Sequence, residues 1–245
     1  MNLLRFFKNK DDKKKEPHCS AVIVAAGSSQ RMGSDKLTML LDGIPVLART
    51  LRVFQSSPLV DEIVLVTRTE KLQETADLCK EYGIDKVTKV ISGGKTRTES
   101  ALCGVSEVNH AARLIAIHDA ARPLVTEDLI MRTVYAAREH RAAAPAVKSV
   151  DTLKAVDADG FIIGTVDRET TVRIQTPQVF HADLIKGALT KAVEKGITLT
   201  DDCAAAEMMG IRTKTVLGDE ANIKITEPND LLIASELLKE RGELR

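Results

Sequence analysis

The stretch Ala21-Val-Ile-Val-Ala-Ala-Gly-Ser-Ser-Gln-Arg-Met-Gly-Ser-Asp-Lys36 decides how this chain is read. Val22, Ile23 and Val24 are β-branched, so Ala21 to Ala25 reads as a buried strand. The strand breaks into a Gly/Ser loop. Gly27 lets the backbone turn where a side chain would clash, and backbone N–H groups are then left to face an anion. Arg31 and Lys36 add fixed positive charge beside those donors. A strand that opens in this way is a phosphate cradle, placed where a nucleotide triphosphate would fit.

The loop differs from the two common phosphate loops. A Walker A sequence needs G-x-x-x-x-G-K-[ST], but Gly27 and Gly33 have the wrong spacing and Ser34-Asp35-Lys36 follows. A dinucleotide fingerprint needs G-x-G-x-x-G, which Ser29 and Gln30 do not supply. Ala25 to Gly33 resembles instead the A-A-G-x-G-x-R-M-G loop of sugar-nucleotide and polyol-phosphate nucleotidyltransferases, with Ser29 at the second glycine. Taken alone, the stretch also fits an ordinary strand-to-helix loop carrying solvated charges.

Outward from this loop, the chain is long enough at 245 residues for one large α/β domain with a deep core. Its formal charge is zero, which gives no electrostatic case for nucleic acid or an anionic membrane. With no Trp and two Tyr it also lacks the aromatics of a base-stacking platform. Cys19, Cys79, Cys103 and Cys203 are scattered without C-x-x-C pairing, which suits reduced thiols in a cytoplasmic protein. No apolar run approaches the roughly 20 residues of a membrane span. Residues 1–19 read as a disordered or weakly ordered tail, apolar up to Phe7 and then a charge run with five lysines. Residues 20–245 read as a single domain.

Strand-like runs at Ala21–Ala25, Glu62–Thr67, Lys86–Ile91 and Leu114–His118 alternate with helical patterns at Val46–Gln55, Glu70–Tyr82 and Thr98–Ala111. A helix over Thr126–Arg141 and a strand at Ala144–Val147 follow. The expected fold is therefore α/β, a mostly parallel, Rossmann-like sheet with helices on both faces. At about 149–174 the texture changes to short extended runs around the turn Asp157-Ala-Asp-Gly160. Such a small antiparallel β-arm cannot hold a core alone, so it is expected to pair with a second subunit. Helices around Ala182–Glu194 and Asp202–Met209, a strand at Arg212–Leu217 and a closing helix at Asn229–Arg241 complete the pattern.

Ligands of a parallel sheet bind beyond the carboxyl ends of its strands, and unusual residues gather there. Ser92-Gly-Gly-Lys-Thr-Arg-Thr-Glu-Ser100 offers two glycines, Arg97 and a helix start that can approach a nucleotide. Locally it is equally a Gly-rich turn before a helix. In Ile117-His-Asp-Ala-Ala-Arg-Pro123, polar His118 and Asp119 end an apolar strand, which is costly unless they bind something. A surface pair of Asp119 with Arg122 is the plainer reading. Thr200 precedes Asp201-Asp202 and serves equally well as a helix N-cap. In Asn222-Ile-Lys-Ile-Thr226, Lys224 either points inward at an anion or outward from an edge strand.

Together with Asp151-Thr-Leu-Lys154, Val166-Asp-Arg168 and Gln175-Thr-Pro-Gln178, these motifs stand in the order found in the 2-C-methyl-D-erythritol 4-phosphate cytidylyltransferases. The resemblance runs from about Ser20 to the last helix. It implies CTP on the backbone of Ala25, Ala26 and Gly27 and near Gly94, Lys95 and Ser100. It implies Arg31, Lys36 and Lys224 as the catalytic cations on the triphosphate. Asp119, Arg122, Thr176 and Thr200 would bind methylerythritol phosphate, and Arg168 would reach the neighbouring subunit's substrate in a homodimer. Mg²⁺ is implied as cofactor, held mainly by the phosphates, with no protein ligand assigned. Three departures stand out: Ser29, Leu37-Thr38 after Lys36, and Val172-Arg173 where Leu-Trp is usual.

The rival within enzymes is a ribitol-5-phosphate cytidylyltransferase, whose usual pattern has Val at the Ala121 position and lacks the Asp-Thr-Leu-Lys entrance to the arm. A non-catalytic nucleotide-binding protein is the rival of another class. Such a protein would be expected to have lost Arg31, Lys36 or Lys224, and all three are present.

Overall fold

The computed structural model describes residues 19–27 and 35–242. Arg31 and Ser29, together with the expected N-terminal tail up to residue 18, lie outside the described residues.

Side-chain alternation along the first strand, β1 (Cys19–Val24), explains why it sits in the middle of the molecule. Cys19, Ala21 and Ile23 enter one apolar cluster and Val22 enters another. Both faces are therefore covered, as expected of a parallel strand. The short pair β2 (Leu40–Leu41) and β3 (Ile44–Pro45) leads into α1 (Val46–Ser56). There follow β4 (Val60–Thr67), a 3₁₀ turn at Thr69–Lys71, α2 (Leu72–Glu81), β5 (Val87–Ser92), α3 (Arg97–Glu107) and β6 (Leu114–Asp119). Next come α4 (Glu127–His140), β7 (Ala142–Lys148), the hairpin strands β8 (Lys154–Val156) and β9 (Ile162–Thr165), β10 (Val172–Ile174) and β11 (Gln178–His181). The chain closes with α5 (Ala182–Glu194), α6 (Asp202–Met208), β12 (Lys214–Leu217) and α7 (Pro228–Glu240).

The sheet runs β5-β4-β1-β6-β11-β7, with β12 on the far edge of β7. β10 pairs with the same edge of β7 as β11, farther along it. The strands β1, β4, β5 and β6 are mutually parallel, and β12 is parallel to β7. Only β10 and β11 run against their neighbours. The expected mostly parallel architecture holds. On one face Ile23, Leu65 and Leu114 pack with Leu51, Phe54, Ile130 and Leu238 of α1, α4 and α7. On the other, Val22, Val66 and Ile117 pack with Val105, Ile185 and Ala205 of α3, α5 and α6. Each such buried Val, Leu, Ile or Phe side chain contributes roughly 1.5–3 kcal/mol.

Gly104 lets α3 lie close on the sheet: a Cβ there would stand 2.3 Å from Val22 Cγ1 and 2.8 Å from Val66 Cγ2. This close approach brings the start of α3, with Arg97 and Ser100, up to the strand ends. The Thr96 hydroxyl caps that start by accepting from Glu99 N–H at 3.1 Å.

Three sequence expectations change. The run Thr170–Ile174, assigned to the arm, instead supplies β10, because Val172 to Ile174 pair with Ala146 to Lys148 of the main sheet. The strand β11 was not anticipated: it is only four residues long and flows directly into α5, too short for a period to show, although Val179 and Phe180 are fully buried. The stretch Asn222–Thr226 forms no strand; Ile225 N–H donates to Ala121 O at 2.8 Å, docking it against the loop after β6. The turn at Asp157–Gly160 is as expected, with the Asp157 carboxylate accepting from Asp159 and Phe161 N–H and Gly160 at φ +86°.

Candidate active site

The carboxyl ends of β1, β5 and β6 frame a cleft of about 360 Å³. Ala25, Ala26 and Gly27 form one wall, and Gly94, Lys95 and Ser100 face them. Gly93 permits this meeting, since a Cβ there would stand 2.7 Å from Ala26 Cβ and 2.6 Å from Ser100 Oγ. Ser100 is buried and its hydroxyl donates to Thr96 O at 2.8 Å, so it presents lone pairs and bulk to the cleft.

Lys36 and Lys224 enter the cleft from separate segments. Asp35 fixes the backbone around Lys36: its carboxylate accepts from Leu37 N–H at 3.2 Å and from Arg68 Nη2 at 2.6 Å. Lys36 Nζ donates to Ile225 O at 2.8 Å, which ties the first loop to the segment bearing Lys224. That segment is itself anchored, because Asn222 Nδ2 donates to Thr176 O and Arg122 Nη1 donates to Asn222 O. Fully buried Ile225 beside it turns Lys224 toward the cleft, settling the inward alternative.

Asp119, the last residue of β6, is the only carboxylate among the described residues lining the cleft. Its Oδ2 lies 2.8 Å from Lys224 Nζ, and its Oδ1 lies 3.3 Å from Arg97 Nη2. Burial opposes its ionisation, but the Arg97 and Lys224 charges outweigh burial and hold its carboxyl well below the usual carboxylate range. Burial likewise disfavours the Arg97 charge, and the Asp202 and Asp119 carboxylates more than compensate. The Arg97–Asp202 contact is bidentate, with Nη1 and Nη2 donating at 3.0 and 2.8 Å.

Beneath Asp119, His118 is fully buried and pushed down to about 3 by burial, with the Arg122 charge adding to the shift. Its Nε2 lies 3.3 Å from Arg122 O, which can only accept, so Nε2 carries the proton. Nδ1 then accepts from the Thr176 hydroxyl at 2.9 Å, and Thr176 Oγ1 accepts from Asp119 N–H at 3.2 Å. The imidazole is a neutral strut, with no nitrogen left for acid–base work.

The expected site residues thus divide. Ala25, Ala26, Gly27, Lys36, Gly94, Lys95, Ser100, Asp119 and Lys224 line one cleft. Thr176 is buried and its hydroxyl is spent on His118 and Asp119, so it meets the cleft only through the Asp119 backbone. Arg122 lies just behind, with Nε 3.9 Å from Asp119 Oδ2 and lacking a hydrogen-bond partner. Thr200 is exposed outside the cleft lining, and the N-cap of α6 is Asp201, which accepts from Ala204 N–H at 3.0 Å. Arg168 stands on the exposed loop after β9, 3.7 Å from Glu169. From sequence, Arg97 is expected with its neighbouring glycines to donate to a nucleotide, and Asp202 has no role; the structure instead engages the Arg97 guanidinium with Asp202 and Asp119. Both ends of the Arg97–Asp202 contact were visible, an Arg opening a helix and paired carboxylates opening another, but 105 positions separate them.

Among the described residues, no helix is long and apolar enough to cross a membrane. The sequence matches the family described as IspD: 2-C-methyl-D-erythritol 4-phosphate cytidylyltransferase over residues 19–240. The 2-C-methyl-D-erythritol 4-phosphate cytidylyltransferase of Caldanaerobacter subterraneus is 42% identical over 90% of this chain and 98% of its own. That of Dehalococcoides mccartyi is 44% identical over 89% and 95%. Among solved structures, the 4-diphosphocytidyl-2C-methyl-D-erythritol synthase of Anaerococcus prevotii superposes with a TM-score of 0.81 at 32% identity, covering 91% of this chain and 97% of that one. The Thermus thermophilus cytidylyltransferase superposes with a TM-score of 0.73 at 28% identity, covering 91% and 99%. A parallel sheet with two lysines and a carboxylate gathered at its strand ends, and a match running nearly from end to end, put the chain in the 2-C-methyl-D-erythritol 4-phosphate cytidylyltransferase family.

Proposed function

We propose that this cleft transfers the cytidylyl group of CTP to 2-C-methyl-D-erythritol 4-phosphate, giving 4-diphosphocytidyl-2-C-methyl-D-erythritol and pyrophosphate, a step of isoprenoid synthesis. The observation that carries the reading is the convergence of Lys36 and Lys224 on a floor of small residues at Ala25–Gly27. A triphosphate can approach that floor closely, and Ser100 and Gly94 bound the space left for the nucleoside.

The substrate phosphate is its own nucleophile, since a phosphate monoester with a second pKa of about 6 is largely dianionic at neutral pH. Its oxygen bonds to the α-phosphorus, the α–β bridging bond breaks, and pyrophosphate carries the electron pair away. The protein must lower the repulsion between two anions and hold them in line. Lys36 and Lys224, each tethered by a 2.8 Å contact, are placed for that work before any ligand arrives. Arg31 joins them by family resemblance. No general base is required, which agrees with a His118 locked into the scaffold.

Asp119, an acceptor-only carboxylate, suits the hydroxyls of the polyol, and the unpartnered Nε of Arg122 suits an anion beside it. Thr176 contributes by holding the Asp119 backbone, and Thr200 joins by family resemblance alone. Among the described residues no group of three or more His, Cys, Asp or Glu is arranged to hold a metal. Mg²⁺ needs no such cage when substrate phosphates and water supply most of its ligands. The site fits Mg²⁺ carried on the triphosphate with no protein ligand assigned to it; when bound, the ion would neutralise phosphate charge.

Arg168 is not among the residues that line the cleft and follows a hairpin whose Phe161, Ile162 and Ile163 are all exposed. An apolar arm of that kind is covered by a second copy of the chain, and Arg168 then completes the partner's site. Free thiols at Cys19, Cys79, Cys103 and Cys203 suit a reducing cytoplasm.

The test is pyrophosphate release from CTP and Mg²⁺ with methylerythritol 4-phosphate or ribitol 5-phosphate. Release with the first alone is expected. Release only with ribitol 5-phosphate overturns the substrate, and no release with either overturns catalysis.

A further inference from the structure

The contacts around Arg97 extend well beyond the cleft. Gln178 opens β11 in the core and is itself buried. Its Oε1 accepts from Asp202 N–H at 2.9 Å and Cys203 N–H at 3.0 Å, while its Nε2 donates to Asp201 Oδ2 at 2.9 Å. The start of α6 is thus clamped to the sheet by one side chain. Asp202, fully buried there, grips the end of the Arg97 guanidinium with both oxygens. The Nε edge of the same guanidinium faces Asp119 Oδ1 at 3.3 Å.

We infer that Gln178, Asp202 and Arg97 form a positioning relay that fixes the Asp119 carboxylate for the hydroxyls of the polyol phosphate. None of the three needs to touch the reacting atoms, so they are positioning residues. The inference rests on the reading of Asp119 as the polyol acceptor. Planar, bidentate geometry is what makes Arg97 suitable, because two oxygens on one end leave the other edge aimed in a single direction. Lys224 holds the opposite oxygen of Asp119 at 2.8 Å, and Arg97 prevents the carboxylate from swinging with it.

Arg97, Arg122 and Lys224 set against Asp119 and Asp202 leave the cluster with one net positive charge, three minus two. Asp202→Asn raises this to two. Were Asp202 only part of the electrostatic balance, the variant would attract phosphate more strongly and lower KM for both substrates. If Asp202 positions Asp119 through Arg97, the same variant raises KM for the polyol phosphate and leaves KM for CTP nearly unchanged.

The experiment is two-substrate steady-state kinetics on the full chain, comparing wild type with Asp202→Asn and Arg97→Lys, alongside thermal melting. Lysine keeps the charge of Arg97 but lacks the planar fork that grips Asp202 with two donors while its Nε edge is aimed at Asp119. Both variants are expected to raise KM for methylerythritol 4-phosphate by about tenfold, with KM for CTP changed less than about twofold. A fall in KM for both substrates, equal losses on both, or unaltered kinetics in a folded variant would overturn the relay. An inactive wild type would instead overturn the reading of the reaction. Should either variant melt too low to assay, Gln178→Glu supplies the same test, since it keeps Oε1 as an acceptor for the backbone while changing the partner of Asp201.

Discussion

The inner wall of the cleft and the β8–β9 hairpin are opposite kinds of surface within one chain. At the inner wall, Asp119, Arg97, Asp202 and Lys224 are polar, and each already has a partner at 2.8–3.3 Å. On the hairpin, Phe161, Ile162 and Ile163 are apolar, and each is about two-thirds exposed. Buried polar groups must be paired within the chain or they cost several kcal/mol. Exposed apolar groups need no such pairing, and covering them is favourable, at roughly 25 cal/mol per Å². The wall is therefore paired within one copy, whereas the hairpin leaves apolar surface uncovered, the surface that the proposed dimer would bury.

The largest effect expected from breaking this contrast is at the wall. Lys36→Ala and Lys224→Ala each remove one charge from the transition state, and losing one such donor lowers kcat by about 10²–10³-fold. Lys224 is more than a third exposed, so its ion pair contributes little to stability. Melting should shift by no more than about 2–4 °C, the change that roughly 1 kcal/mol produces in a chain of this size. Turnover within a few-fold of wild type in a folded variant removes the lysines from the chemistry.

A second, smaller effect separates scaffold from chemistry at the same wall. His118 is neutral in the fold, pushed down to about 3 from its ordinary 6.5. Between those values the unfolded chain binds a proton that the folded chain refuses, so stability falls as pH drops from about 6.5 toward 3. This group contributes no further loss below that window. Its slope is at most about 1.4 kcal/mol per pH unit. The charges near His118 are Asp119, which favours protonation, and Arg122 and Lys224, which oppose it. Chemical denaturation at several pH values should show a shallower slope in His118→Gln than in wild type. Equal slopes would mean that the imidazole titrates normally and is no neutral strut.

The two regions were also unequally legible in the sequence. The wall's strands announced themselves through β-branched runs, and their ends through residues unusual in such company: glycines after Val24 and Ser92, a His-Asp pair closing β6, one Lys between two isoleucines. These are local signals. The relay behind Asp119 was hidden because its contacts join positions 97, 119, 178 and 202, and nothing in a linear chain reports that β11 inserts between β6 and β7. At the hairpin the turn was legible from Asp157-Ala-Asp-Gly160, but the extent of the arm was not. The run Thr170–Ile174 has the same extended texture as the hairpin, and only its pairing with β7 assigns Val172–Ile174 to the main sheet.

The smallest expected effect on subunit stability, and the sharpest test of the contrast, concerns the arm. Phe161→Ser with Ile163→Ser replaces two exposed side chains, and such changes alter the stability of a subunit by about 0.5 kcal/mol or less. Association should nevertheless weaken, because the apolar surface that a partner would cover is gone. Sedimentation should show dimer in wild type and a shift toward monomer in the double variant, with activity falling in parallel. Arg168 makes the link between association and activity explicit. A chain carrying Arg168→Ala and another carrying Lys224→Ala should each be nearly inactive alone. Mixed and allowed to exchange subunits, they form heterodimers in which one site has lost both residues and the other has kept both. Recovered activity in the mixture therefore places Arg168 in the partner's site. A mixture no more active than its components would return Arg168 to its own chain and leave the hairpin without a role in the reaction.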